Sequence, residues 1–375
     1  MSLQILSVIN SKEEKMKILI DIGHPATVHF FKNYAWEMIK RGNQVLFTSR
    51  DKDVAVNLLR HYKFDYKSFG KFKKGFIGKI LSIMKFDLQL IKTAIKAKPD
   101  IILSGGSLYA AHAAFFLRKP NITVHNTDID YQVDFNKPFT SVFLTPESYM
   151  RDIGKKQVKY RGYQELTFLH PKYFKPNPSI FKKLGLQENE KYVLLRFVSW
   201  DAHDDFGKNG FSLDEIRKIV SRFSEYARVF ISSEYNLPDD LKKYHLESNT
   251  SIQTGDIQDI EYYASLLYGE SGAMSAECAV LGTPAFYISK KQLGFLIELD
   301  KKYNLIFNRP SSEGTLEEAI QLLKTPGLKD IWREKSRKMV EDNINVTDFL
   351  LWFTENYPSS LKKLREDPDF QFSFK

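Results

Sequence analysis

The sequence predicts an α/β protein of two domains, each a doubly wound parallel sheet, and three observations carry that prediction. From Met16 to about Phe168, short apolar runs of strand length alternate with segments whose apolar residues recur at helical spacing. Pro171, Pro176 and Pro178 then break the pattern between His170 and Gly185, where regular ladders cannot continue. A second alternating series begins at Lys191. At roughly 100 to 200 residues per domain, a chain of 375 residues also divides naturally in two. A hydrophobic content of 43%, with 29 Phe and 19 Tyr against 27% charged residues, supplies a large core and excludes wholesale disorder.

Residues 1–15 read as a leader outside the fold, without the basic region or cleavage site of a secretory signal. The run KILIDI (Lys17 to Ile22) is a buried strand, punctuated by Gly23-His24-Pro25. Val28, Phe31, Ala35, Met38 and Ile39 follow at helical spacing up to Arg41-Gly42, and QVLFTS (Gln44 to Ser49) completes a βαβ unit. Further on, Ile77, Leu81, Met84, Leu88, Ile91 and Ile95 line one helical face, with Lys79, Lys85, Lys92 and Lys96 on another side. That apolar face is expected in the core, with the lysines solvated; an interfacial helix that meets anionic lipid is the alternative. The loop Gly70 to Gly78, with Phe72 and Phe76 among Lys71, Lys73 and Lys74, is expected to be exposed to membrane or acceptor.

A strand from Ile101, a helix over Leu108 to Leu117, and strands at Asn121 to Asn126 and Thr140 to Pro146 finish the first domain. The second domain reads as strands at Lys191 to Ser199, Arg228 to Ser233, around Leu266, and Thr283 to Ser289. Helices at Leu213 to Tyr226, Ile257 to Ala264 and Ser275 to Leu281 alternate with them. Helices follow Thr315, and the last ten residues look like a frayed tail. The expected boundaries are therefore 16–168 for the first domain, 169–186 for a linker, 187–340 for the second domain, and 341–375 for helices packing back on the first.

The single cysteine, Cys278, excludes a disulfide scaffold and a cysteine zinc cluster, and points to a reducing cytoplasm. The balance of 55 Lys plus Arg against 46 Asp plus Glu, a net +9, favours anionic partners. No stretch reaches the roughly 18 apolar residues of a membrane span.

The segment Gly269-Glu270-Ser271-Gly272-Ala273-Met274-Ser275-Ala276-Glu277 places a small-residue turn between a strand and a helix. Several backbone N–H groups then converge at the positive end of a helix dipole, which suits a diphosphate, while Glu277 one turn on can accept from a ribose diol. Read alone, the segment is equally a tight turn with a capped helix. Ser104-Gly105-Gly106-Ser107 is a second such turn. His24 lies in the loop after the first strand, where an imidazole can take a proton from a sugar hydroxyl or cap the helix. Asp128 follows another strand and can serve as acid, base or hydroxyl acceptor. Asp128-Ile129-Asp130 also has D-x-D spacing, a metal pattern against which the two-domain alternation counts. Arg196 ends the strand KYVLLR, placed for a phosphate or for pairing with a neighbour.

The run G-E-S-G-A-M-S-A-E-C-A-V-L-G-T-P-A resembles the nucleotide-binding segment of GT-B sugar-nucleotide enzymes, notably UDP-N-acetylglucosamine 2-epimerase and the lipid II N-acetylglucosaminyltransferase. The chain resembles still more closely a prokaryotic family of unknown function with that fold, in type and order from about Lys17 to Pro358. The resemblance implies a GT-B architecture, two Rossmann-like domains facing a cleft. It implies that Ser271, Gly272 and Ala273 hold a diphosphate and that Glu277 holds the uridine ribose. The His24 loop resembles the glycine-and-histidine loop of the lipid II transferase, with Gly23 its only glycine. Asp128 stands about where the epimerases place an acidic catalytic residue, and His203 falls within the region of their His-Arg-Arg-Glu-Asn run. The arginines of that run are absent here, and Ser-Gly-Ala replaces the epimerases' Ser-Gly-Gly.

The function expected is a GT-B glycosyltransferase acting with a nucleotide-diphosphate sugar in surface glycan biosynthesis, with His24, Asp128 and His203 as proton-transfer candidates. Ser104, Gly105, Gly106, Arg196, Ser271, Gly272, Ala273, Met274 and Glu277 are the substrate-binding candidates. No cofactor, no metal and no nucleic acid are expected. An anionic membrane surface or lipid-linked acceptor is the further partner, and the location is cytoplasmic, peripheral to the inner face. A UDP-sugar 2-epimerase or hydrolase is the first alternative; a non-catalytic membrane-surface or nucleic-acid binding protein is the second.

Overall fold

A computed structural model describes residues 15–50, 53–71, 73, 75–128, 132–198, 211–233, 237–246 and 251–375. His203, Asp130, Phe72, Lys74 and residues 1–14 of the expected leader lie outside the described residues, as do the side chains of Phe76, Ile77 and Lys79. The chain groups into two compact units: residues up to 124 with 132–143 and 351–357, and residues 125–131 with 144–350 and 358–375.

The first sheet begins with β1 (Lys17–Ile22), α1 (Pro25–Lys40), β2 (Gln44–Ser49), α2 (Asp53–His61), β3 (Tyr66–Ser68), α3 (Phe76–Ala97) and β4 (Ile101–Ser104). It continues with α4 (Leu108–Leu117), β5 (Asn121–Val124), α5 (Gln132–Asn136), β6 (Val142–Pro146) and β7 (Gln157–Tyr160), in strand order β3-β2-β1-β4-β5-β6-β7. Strand β1 pairs in parallel with both β2 and β4, so the chain order reverses between β1 and β4. Beneath the sheet, Leu19 and Ile102 pack with Phe86, Leu90 and Ala94 of α3 and with Ala110, Ala113 and Ala114 of α4. The small alanine face lets α4 lie close against α3.

Two short helices, α6 (Leu166–Leu169) and α7 (Ser179–Lys183), precede β8 (Tyr192–Arg196), α8 (Leu213–Ser224), β9 (Arg228–Ser232), α9 (Ile257–Tyr263), β10 (Leu266–Gly269) and α10 (Gly272–Leu281). After these come β11 (Ala285–Ile288), α11 (Gly294–Lys301), β12 (Ile306–Arg309), α12 (Thr315–Leu323), α13 (Leu328–Asp342), α14 (Val346–Glu355) and α15 (Ser359–Glu366). The second sheet has the order β12-β11-β10-β8-β9, all parallel, and its reversal lies between β8 and β10. Its core joins Val193 and Leu195 to Phe223, Ile231, Tyr268 and Phe286. Helix α8 is specified locally by a capping box, Ser212 with Glu215, and by the buried stripe Ile216, Ile219, Val220 and Phe223.

Two expectations are corrected. The last ten residues are ordered rather than frayed: a 3-10 turn over Pro368–Phe374 brings the Phe374 carbonyl to Asn345 N at 2.7 Å and Gln371 Oε1 to Arg161 N at 2.6 Å. In α3 the expected core face points outward, since Leu81, Met84, Leu88 and Ile95 are exposed while Ser82, Phe86, Leu90, Thr93 and Ala94 are buried. The helix carries two apolar stripes; the Phe86-Leu90-Ala94 stripe at i, i+4, i+8 meets the alanine face of α4, and among the described side chains of the expected face Ile91 alone is half-buried against that cluster.

Candidate active site at the strand ends

In open parallel sheets a ligand crevice opens outside the carboxyl ends of the strands where chain order reverses. In the second unit that point lies between Arg196, ending β8, and Gly269-Glu270-Ser271, following β10. A Cβ at Gly269 would run into the carbonyl of Arg196, so the approach of the two strand ends demands glycine there. Glu270 N donates to the same carbonyl at 2.9 Å, and the Glu270 carboxylate accepts from Val198 N at 3.2 Å. Arg196 itself reaches Ser232 Oγ at 3.0 Å.

Ser271 caps α10, its side chain accepting from Met274 N at 3.3 Å, and Ser275 N bonds the Ser271 carbonyl at 3.0 Å. Gly272 and Ala273, the first two helical residues, have amides with no carbonyl below them within the helix. Those amides, together with the helix dipole, form the anion-receptive end. Met274 is buried.

Glu277, half-buried one turn further, accepts weakly from Gln258 Nε2 at 3.4 Å. It stands against two buried carboxyl groups, Glu261 on α9 and Glu165 just before α6, as α10 packs on both helices. Burial first, and then the charge of Glu277, pushes Glu261 well above the usual carboxylate range. Burial likewise raises Glu165, to about 8. Cys278 lies on the buried side of the same helix, and burial pushes its thiol up.

Asp128 is buried and each carboxylate oxygen holds a backbone amide, Oδ1 that of Met150 at 2.6 Å and Oδ2 that of Gly294 at 2.7 Å. It therefore caps the start of α11 from a distance in sequence. A Cβ at Gly294 would strike the Ser148 carbonyl, so the capped amide sits against bare backbone.

In the first unit the reversal lies between β1 and β4, which sets the His24 loop beside the Ser104-to-Ser107 turn on one sheet edge. His24 is exposed and caps α1, its Nδ1 accepting from Ala26 N at 3.2 Å. An Nδ1 that accepts leaves the proton on Nε2 in this conformation. Ser104 is fully buried with its Oγ 3.4 Å from Thr123 Oγ1, and Ser107 caps α4. A Cβ at Gly105 would lie 2.8 Å from Thr27 Oγ1, and Gly106 has φ +86° while its carbonyl accepts from Asn136. His29 is buried near Tyr62, as packing requires, with burial lowering its pKa to about 3.

Beneath the His24 loop lies a buried ion pair that the sequence reading did not single out. Arg50 Nη1 meets Asp21 Oδ2 at 2.7 Å, Arg50 Nη2 donates to the Ile22 carbonyl at 3.0 Å, and Thr48 donates to Asp21 Oδ1 at 2.7 Å. The guanidinium also stacks over Tyr109, 4.9 Å from the ring centre. A carboxylate inside the apolar run KILIDI was the available signal.

A family model described as a protein of unknown function, DUF354, matches residues 16–309. The chain belongs to the DUF354 family. A relative, the uncharacterized protein MJ0665 of Methanocaldococcus jannaschii, is 23% identical over 301 residues, covering 76% of this chain and 86% of its own. Among solved structures this DUF354 chain is similar to the UDP-GlcNAc 2-epimerase of the same organism, with TM-score 0.60, 14% identity, and coverage of 83% of this chain and 94% of that one. The UDP-GlcNAc 2-epimerase of Neisseria meningitidis, solved with UDP-GlcNAc bound, gives 0.60 at 12% identity, covering 87% and 99%. The SsfS6 glycosyltransferase of Streptomyces sp. SF2575 gives 0.54 at 10% identity, covering 90% and 99%. These likenesses establish the GT-B fold for the DUF354 chain, a fold shared by transferases and epimerases alike.

Proposed function

We propose that the protein is a GT-B glycosyltransferase that takes a nucleotide-diphosphate sugar as donor. The supporting observation is the α10 start at the β8/β10 reversal, where the Gly272 and Ala273 amides, the helix dipole and Glu277 lie within about a turn and a half of each other. In this reading the diphosphate accepts from the amides, and Glu277 accepts from both ribose hydroxyls. Burial disfavours charge on Glu261 behind it, so Glu277 is the carboxylate assigned to the ribose. Arg196, at the end of the neighbouring strand, is assigned to the departing diphosphate. The acceptor hydroxyl attacks the anomeric carbon as the bond to the diphosphate breaks, and its proton passes to a general base. His24 is assigned that role, because Asp128 has both oxygens engaged with backbone amides. Taking the proton at Nε2 requires the cap bond to Ala26 to open and the tautomer to reverse. The acceptor class is a surface-glycan precursor at an anionic membrane.

UDP-sugar 2-epimerisation is the second reading, favoured by the fold shared with UDP-GlcNAc 2-epimerases. Ser-Gly-Ala at 271–273 and the lack of an arginine run after Arg196 count against it.

Calorimetric titration with uridine and other nucleoside diphosphates tests the donor site. Glu277→Ala should weaken the best nucleotide by about 1–3 kcal/mol, the range for a hydrogen bond to a charged group. Equal affinity in wild type and variant would refute the ribose assignment, and product analysis with labelled donor then separates transfer from epimerisation.

A further inference from the structure

Helix α3 presents apolar side chains on two opposite sides. At about 100° per residue, Ser82, Phe86, Leu90, Thr93 and Ala94 share one side and are buried. Ile80, Leu81, Met84, Leu88 and Ile95 share the other and are 43, 51, 58, 56 and 50% exposed. A helix that simply covers a core turns polar residues outward, so an outward row of Leu, Met and Ile needs a separate cause. The neighbouring helix α4 also exposes large rings, Phe115 and Phe116 at 65% each.

Charge decides what this face fits. Lys85, Lys92 and Lys96 are exposed along one flank of the outward row, and Lys71 and Lys73 are exposed in the loop before the helix. From Lys63 to Lys98 the chain holds ten lysines and two aspartates. The one acidic residue within α3, Asp87, is engaged by His112 Nδ1 at 2.8 Å. An apolar row with a lysine flank matches a bilayer, whose acyl boundary takes the Leu and Met side chains while anionic headgroups take the ammonium groups. A second copy of the chain matches less well. In a two-fold contact the same face meets itself, and α3 offers its lysines no carboxylate beyond the paired Asp87. Among the described residues no helix is long and apolar enough to cross a membrane, so the fitting geometry is a helix lying in the interface.

We propose that the outward face of α3 docks the protein onto an anionic phospholipid surface. The docking does not rest on the donor assignment, and its test uses no nucleotide.

Vesicle sedimentation decides it, with phosphatidylcholine alone and with phosphatidylcholine mixed with phosphatidylglycerol. The full chain should sediment with the anionic vesicles, stay in solution with the neutral ones, and detach as salt shortens the Debye length. Lys85→Gln, Lys92→Gln and Lys96→Gln together should weaken partition roughly 100-fold, at about fivefold per lysine. Met84→Ser with Leu88→Ser, which leaves every charge in place, should also abolish it. Both variants alter exposed side chains only, and circular dichroism checks each fold, so the loss of one variant leaves the other to decide. Wild type remaining in solution with anionic vesicles at low salt would overturn the proposal. So would equal partition of either variant and wild type, or a dimer in sedimentation equilibrium that the double Ser variant converts to monomer.

Discussion

Replacing Glu165 by Gln should stabilise the protein in alkali and leave it almost unchanged in mild acid. Glu165 is 4% exposed, and burial lifts its carboxyl from 4.5 to about 8 against the pull of its own backbone N–H, with the charge of Glu277 adding a smaller push. In the unfolded chain the group ionises near 4.5, whereas the native state keeps the proton to about 8. Between those values the native state binds a proton that the unfolded state has released, so stability falls as pH rises. The contribution is whole below the unfolded value and lost as pH climbs through the folded one. The slope is about 1.4 kcal/mol per pH unit, so the loss between pH 5 and pH 9 reaches about 4 kcal/mol as an order-of-magnitude ceiling. Glutamine has the same shape, keeps an acceptor for the backbone N–H and never ionises. Guanidinium unfolding followed by circular dichroism at pH 5, 7 and 9 reads the difference directly. The two proteins should nearly coincide at pH 5 and separate progressively, with the variant the more stable at pH 9. Parallel stability curves across that range would refute a protonated, buried Glu165.

Arg50→Met should destabilise the first unit by about 3–5 kcal/mol, because it leaves the fully buried Asp21 carboxylate without its cation. Adding Asp21→Asn should recover much of that loss in the same denaturation assay, and no recovery would mean that the guanidinium acts by packing alone. His24→Asn retains an oxygen that can cap α1 but removes the imidazole, so stability should shift by a few tenths of a kcal/mol while turnover falls about 10²-fold. Full turnover in that variant would reduce His24 to a helix cap.

Much of the fold was legible because its signals are local. The apolar strands of the first βαβ unit, the end of α10 at Leu281 and the start of α8 at Leu213 each depend on a few adjacent residues, and the structure has them where the sequence pattern places them. The amphipathic period of α3 was legible too, but not its direction. Two apolar stripes on one helix give the same spacing, and the alanine face of α4 that selects between them lies elsewhere in the chain. The docked terminus failed for a similar reason: Gln371 and Phe374 are held by Arg161 and Asn345, long-range partners that no local pattern announces. At the candidate site, Ser271 to Glu277 stood out as a strand–turn–helix signature. Glu261 and Glu165 did not, since a lone Glu in a helical stretch reads as surface until its neighbours are known. Asp128 shows another limit of local reading: its place after a strand is visible in the sequence, but its bonds to the distant amides of Met150 and Gly294 are visible only in the fold.

The two switch points share a feature that packing alone does not explain. Within β1, Leu19 and Ile20 are fully buried and apolar, which is what a parallel strand covered on both faces selects. One residue on, the same strand buries Asp21 completely and needs Arg50 and Thr48 to hold it. In the second unit Val193, Leu194 and Leu195 lead in the same way to Arg196, and Glu261 is buried whole behind Glu277 on the helix that follows the partner strand. Buried ionisable groups of this kind are commonly no better for stability than well-packed apolar residues of similar volume, and a neutralised carboxyl such as Glu165 works against stability above pH 5. Asp21 and Arg196 stand at the carboxyl ends of strands that flank the two reversals, where open parallel sheets place their ligand crevices. The α10 amides can satisfy a diphosphate without help from any side chain, so the buried Glu261 is better understood through the charge and orientation it gives Glu277 than through the fold it costs.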